Sequence, residues 1–125
     1  MYVHPRQPMA CPILVVEDDP ELREMMVTLL TVEGYDPKTA ANGREALDHL
    51  RGGFTPHVIL LDLMMPVMNG WQFRAEQQHD PQFANIPVVI VTALAVNHRQ
   101  ALGAEAVLTK PLDFDRLLTV VRAHC

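Results

Sequence analysis

Apolar residues gather in four short runs, at residues 13–16, 58–61, 88–91 and 106–108, each followed by polar or turn-forming residues. Runs that are continuous rather than alternating predict strands buried on both faces, as in a parallel sheet covered by helices. A weaker run at residues 35–39 contains Pro37, which has no amide proton for a sheet ladder and so predicts an edge strand. Between the runs the apolar period lengthens to that of a helix. Asp19 caps and Pro20 opens the first of these segments. Leu22, Met25, Met26, Leu29 and Leu30 form its stripe, and Gly34 ends it. Asn42 with Glu45, and Asn69 with Gln72, resemble capping pairs opening a second and third helix. A last helix is expected from about Asp113, with Phe114, Leu117, Leu118 and Val121 on one face. Strand and helix alternate as in repeated βαβ units, an α/β fold.

Composition narrows the class. The chain has 125 residues, of which 49% are hydrophobic and 20% charged, which suits one soluble domain with its own core and excludes wholesale disorder. The expected organisation is a loose tail over residues 1–10 and a single domain over residues 11–125. A formal charge of -5 argues against a broad nucleic-acid footprint, which needs clustered Lys and Arg. No apolar run has the length of a membrane span, and the first ten residues lack the apolar core of a signal peptide. Cys11 and Cys125 stand near opposite ends, without the close spacing of a zinc site or disulfide framework, so a reduced, cytoplasmic protein is expected. The six histidines are scattered, with none of the paired spacing that metal sites use.

In an open parallel sheet, ligands bind beyond the carboxyl ends of the strands. Glu17, Asp18 and Asp19 follow the first strand, Asp62 the third, Thr92 the fourth and Lys110 the fifth. Singly, each has an ordinary reading as a cap or a solvated surface group, and Asp19 is assigned to capping. Together they bring carboxylates, a hydroxyl and an amine to one sheet edge. Asp18 and Asp62, with Glu17 beside them, can supply oxygens to a small hard cation, and Mg2+ suits a site of few protein ligands. A carboxylate beside such an ion can attack phosphorus and become an aspartyl phosphate. Lys110 and Thr92 would then neutralise and hydrogen-bond the phosphoryl oxygens.

These residues resemble the receiver domains of bacterial two-component response regulators. Ile13-Leu-Val-Val-Glu-Asp-Asp-Pro20 looks like the family's first strand and acidic pair, and Asp62-Leu-Met-Met-Pro-Val-Met-Asn-Gly70 like its phosphorylation loop. Thr92-Ala93 looks like its switch hydroxyl and the residue after it, and Lys110-Pro111 like its lysine and following proline. The resemblance covers about residues 11–124. It implies a flavodoxin-like five-stranded parallel sheet in the order 2-1-3-4-5 with five helices. It further implies phosphorylation of Asp62 by a histidine kinase or phosphotransfer protein, Mg2+ held by Glu17, Asp18, Asp62 and the backbone carbonyl of Met64, and a cis peptide before Pro111. The implied function is a phosphorelay switch that changes partner binding, a signalling phospho-acceptor rather than an enzyme.

Three features depart from the family pattern. Val107 stands three positions before Lys110, where the family usually carries the aromatic half of its switch, and valine is too stiff to replace that swing. Thr92 and Lys110 are 18 positions apart, about one helical turn short, so the helix between strands four and five, expected within residues 94–102, is shortened. Met64 and Leu94, two residues beyond Asp62 and Thr92, are apolar and unable to orient a hydrolytic water, so slow autodephosphorylation is expected. The alternative is a phosphorylation-independent docking or dimerisation module of receiver fold. A magnesium phosphohydrolase would need a second acid where Met64 stands. The edge strands and last helix offer surfaces for a dimer. The sequence leaves open the cognate kinase, the output partner, and whether the chain stands alone or belongs to a larger regulator.

Overall fold

The four continuous apolar runs are strands of one parallel sheet, three of them inner and the last at an edge. They form β1 (Pro12–Val16), β3 (Val58–Leu61), β4 (Val88–Thr92) and β5 (Ala106–Thr109), and the Pro37 run forms the opposite edge strand β2 (Asp36–Ala40). The structure is a computed structural model, and it describes residues 10–97 and 101–125. All ladders are parallel and the strand order is β2-β1-β3-β4-β5, as the resemblance implies. The expected tail falls almost wholly on residues 1–9, outside the described residues.

Alternate residues of each strand point to opposite faces, and both faces are covered. On one, Leu14, Val16, Ile59, Leu61 and Ile90 pack against Ala46, Leu47 and Leu50 of α2 (Gly43–Arg51) and Phe73 of α3 (Gly70–His79). On the other, Ile13, Val15, Leu60, Val91 and Leu108 meet Met26 and Leu30 of α1 (Pro20–Val32), and Leu117, Leu118 and Val121 of α4 (Phe114–Arg122). The caps fall where the sequence puts them. Asp19 accepts from the Glu21 amide, Asn42 from Glu45 and Asp113 from Asp115 and Arg116, while Asn69 and Gln72 form a full reciprocal capping box.

Two expectations change. The fifth helix is missing among the described residues: four helices are present, and the connection from β4 to β5 runs through bends and turns, with residues 98–100 outside the described set. Among the described residues, a helix-like bond from the Ala101 amide to the Asn97 carbonyl marks where the shortened helix was expected. Too few residues are available to repay helix nucleation. Side chains from α3 hold this connection instead. Arg74 donates through Nε to the Leu102 carbonyl at 3.1 Å and through Nη1 to Gln77 Oε1 at 2.8 Å, and Gln77 donates to the carbonyls of Phe83 and Ile86. Leu102 at φ 52° and Gly103 at φ 74° turn the chain into β5. The second change concerns Cys11 and Cys125. Far from lying apart as free thiols, they are joined as a disulfide, because the start of β1 and the end of α4 share one edge of the sheet. Among the described residues, no helix is long and apolar enough to cross a membrane.

Candidate functional site

Each candidate side chain leaves the sheet from a backbone position fixed by the neighbouring strand. The Glu17 amide donates to the Ala40 carbonyl at 3.0 Å, the Asp62 amide to Val16 at 3.0 Å, and the Lys110 amide to Thr92 at 2.8 Å. These bonds extend the ladders one residue past the strands, so the side chains start from rigid sheet rather than from loose loops. Arg23 of α1 secures the acidic turn, with Nη1 donating to the Glu17 carbonyl at 2.9 Å and to the Asp18 carbonyl at 3.4 Å. The Asp19 amide adds a bond to Glu17 Oε2 at 3.1 Å.

Lys110 Nζ lies 2.8 Å from Glu17 Oε1 and 3.2 Å from Asp62 Oδ2, tying the ends of β1, β3 and β5 together. Glu17 is 1% exposed and Asp62 4%. Burial pushes the Glu17 carboxyl up to about 7, helped by the nearby Asp62 charge and opposed by Lys110 and the Asp19 amide. Burial also works against the Lys110 ammonium, but the hydrogen bonds and charges of Glu17 and Asp62 outweigh it and hold its pKa above the usual lysine value. Two buried carboxylates facing one ammonium leave negative charge in excess.

One carboxylate oxygen from each of Glu17, Asp18 and Asp62 falls within a 4.8 Å group, the spread a single small cation can span. Glu17 Oε1 is buried against the Lys110 ammonium at 2.8 Å. A surplus of buried carboxylates over ammonium groups and an all-oxygen donor set fit a hard divalent cation. Asp62 Oδ1 accepts from the Met64 amide at 3.3 Å, and the Met64 side chain is exposed. Thr92 ends β4 fully buried. Its Oγ1 accepts from the Leu94 amide at 3.2 Å, which leaves the hydroxyl proton free to point elsewhere. Ala93 and Leu94 follow at the surface. The Lys110–Pro111 peptide is cis, as the resemblance implies. Val107 does not reach this edge. It packs half-buried within β5, and with Val96, Asn97 and Ala101 it lines a shallow hollow of about 290 Å³.

The sequence reading gave no separate role to two positions that shape the site. Gly70 tolerates no side chain: a Cβ there would collide with the Asp62 carbonyl oxygen and lie 2.8 Å from Leu63 Cα. Its place one residue after a capping Asn was the available signal. Arg23 carried none, because its partners are backbone carbonyls brought near only by the fold. Val67, in the loop after Asp62, has φ 69°, a left-handed conformation in which a β-branched residue is strained.

Comparison with known proteins gives consistent matches over nearly the whole chain. A family model described as the response regulator receiver domain matches residues 13–122. A transcriptional regulatory protein CpxR homolog of Haemophilus influenzae is 37% identical over 115 residues, covering 89% of this chain and 48% of that protein. Response regulator Rre1 of Synechocystis is 36% identical, over 88% of this chain and 49% of its own. The chain thus spans about half the length of these curated relatives. Among solved structures, the chemotaxis protein CheY4 of Vibrio cholerae superposes with a TM-score of 0.83 at 30% identity, covering 93% of this chain and 99% of that one. The signal receiver domain of a histidine kinase from Syntrophus aciditrophicus gives 0.81 at 32% identity, covering 91% and 89%.

Proposed function

The chain belongs to the response regulator receiver domain family, and we propose that its Asp62 accepts a phosphoryl group from the phosphohistidine of a kinase or phosphotransfer protein. Members of this family are signalling phospho-acceptors that generally use Mg2+ and work with histidine kinases. The observation that carries the assignment to Asp62 is its buried carboxylate, 3.2 Å from Lys110 Nζ and grouped with Glu17 and Asp18.

An Asp62 carboxylate oxygen attacks phosphorus, the bond from phosphorus to the donor imidazole nitrogen breaks, and that nitrogen leaves with the bonding pair. Lys110 neutralises the incoming phosphoryl oxygens, and the Thr92 hydroxyl donates to one of them. The Met64 amide fixes the carboxylate by bonding Oδ1. Glu17, Asp18, Asp62 and the Met64 carbonyl would hold Mg2+, which would supply positive charge against the repulsion between these carboxylates and an anionic phosphoryl group. Lys110 alone would leave that repulsion in place. A phosphorylation-independent docking module needs none of this set, and the retained acids, threonine and lysine argue against it.

The output is a change in binding to a separate effector or output domain, and the protein works in the cytoplasm beside its kinase. With Val107 in β5, the switch works through Thr92 and the β4–β5 connection rather than through an aromatic swing. Met64, 58% exposed, and Leu94, 36% exposed, flank the approach with apolar side chains that cannot orient a hydrolytic water, so the phosphoryl group is lost slowly. Intact mass after incubation with a small-molecule phosphodonor tests the assignment. One phosphoryl group is gained with Mg2+, none with a chelator, and none by Asp62→Asn. A decay within seconds at room temperature would refute the slow hydrolysis, and a gain by Asp62→Asn would refute the acceptor.

A further inference from the structure

At the opposite edge of the sheet from the acidic site, Cys11, His57 and Cys125 come together from three distant parts of the sequence. Their two sulfurs and one ring nitrogen all fall within 4.8 Å of one another. The framework beneath them is rigid. Cys11 precedes β1 and His57 precedes β3, the His57 amide donates to the Pro12 carbonyl at 2.8 Å, and Ile13 pairs with Val58 in the next register step. Cys125 follows α4, whose Leu117, Leu118 and Val121 pack on the same strands. His57 and Cys125 are exposed and Cys11 half-buried, so the group is open to ions from solvent.

We propose that this trio is a second metal site, for a thiophilic divalent cation of the zinc class, formed only when the Cys11–Cys125 disulfide is reduced. Two thiolates and an imidazole are a donor set that zinc takes, with the fourth tetrahedral position left to water. The Cα atoms of the two cysteines are 5.9 Å apart, so both sulfurs can turn toward one ion without moving the strands. The disulfide excludes the ion, because neither sulfur then carries a thiolate. A dithiol reductant gives two electrons to the disulfide, becoming a disulfide itself and leaving two thiols. Zinc binding then displaces their two protons. The two metal sites select by softness: oxygens alone at the Asp62 edge, sulfur and nitrogen here.

The test uses the full chain reduced with a phosphine, freed of reductant, shown to carry two free thiols and to stay folded by circular dichroism. Titration with Co2+ reports thiolate ligation as charge-transfer absorption, and Zn2+ then displaces it. One equivalent is expected per reduced chain and none per oxidised chain. Cys125→Ser and His57→Ala each weaken binding at least about ten-fold, taking the effect of lost supporting contacts as a floor. Cys125→Ser still takes up phosphoryl with Mg2+, which shows that the variant folds. Absence of charge-transfer absorption in the folded reduced chain, full affinity in His57→Ala, or a chain that unfolds on reduction would each overturn the proposal.

Discussion

Glu17→Gln removes a charge that the fold holds at a cost. The Glu17 carboxyl sits 1% exposed and is pushed by burial from an ordinary 4.5 up to about 7. A group whose folded pKa lies above its unfolded value gives the folded chain the greater proton uptake, so stability is fullest below about pH 4.5 and falls as pH rises toward 7. At roughly 1.4 kcal/mol per pKa unit, the metal-free chain loses up to about 3 kcal/mol across that window. Against a total of about 5–15 kcal/mol for a domain, that loss is easily measured. The assay is urea denaturation near pH 5 and near pH 8 with a chelator present, read as the difference between wild type and Glu17→Gln, so that other titrating groups cancel. The variant lacks this part of the pH dependence and is the more stable protein at high pH. Mg2+ binds the ionised carboxylate and offsets the loss in wild type, by about 2.7 kcal/mol at a hundred times its Kd. Parallel pH profiles for the two proteins, or a wild type that gains on the variant above pH 7, would refute the reasoning.

Two substitutions in the loop between Asp62 and α3 test how it is built. Gly70→Ala forces a methyl against the Asp62 carbonyl and Leu63, and costs about 1–3 kcal/mol in urea denaturation together with reduced phosphoryl uptake. Unchanged stability would mean that the loop yields freely. Val67→Asn relieves a positive φ of 69° at a side chain 80% exposed, so it gains about 1 kcal/mol with little loss of burial. A destabilised variant would contradict that reading of the loop.

The strands and the site edge were legible because they rest on local signals, whereas the strand order came only with the family resemblance. Continuous apolar runs marked the buried strands, Pro37 marked the edge, and Asp19, Asn69 and Asp113 marked helix starts. Polar residues just past the strands then had to meet at one edge, where the structure gathers Glu17, Asp18, Asp62 and Lys110. What escaped the sequence depends on distant chain segments. The Cys11–Cys125 pairing spans 114 positions, and His57 joins it only because β3 lies beside β1. That the β4–β5 connection is short was legible as a deficit of residues between Thr92 and Lys110, but a shortened helix was expected there and none is present among the described residues. Its replacement by turns hung on Arg74 was not legible, since the tether lies 28 positions away on α3.

The most direct test of the central claim is to phosphorylate the chain in Mg2+, trap it with borohydride and map the peptides by mass. An acyl phosphate is reduced to the alcohol, so the account predicts homoserine at position 62 and an untouched acidic turn. A reduced residue at Glu17 or Asp18, or phosphorylated protein with no reducible acyl phosphate, would contradict Asp62 as the acceptor.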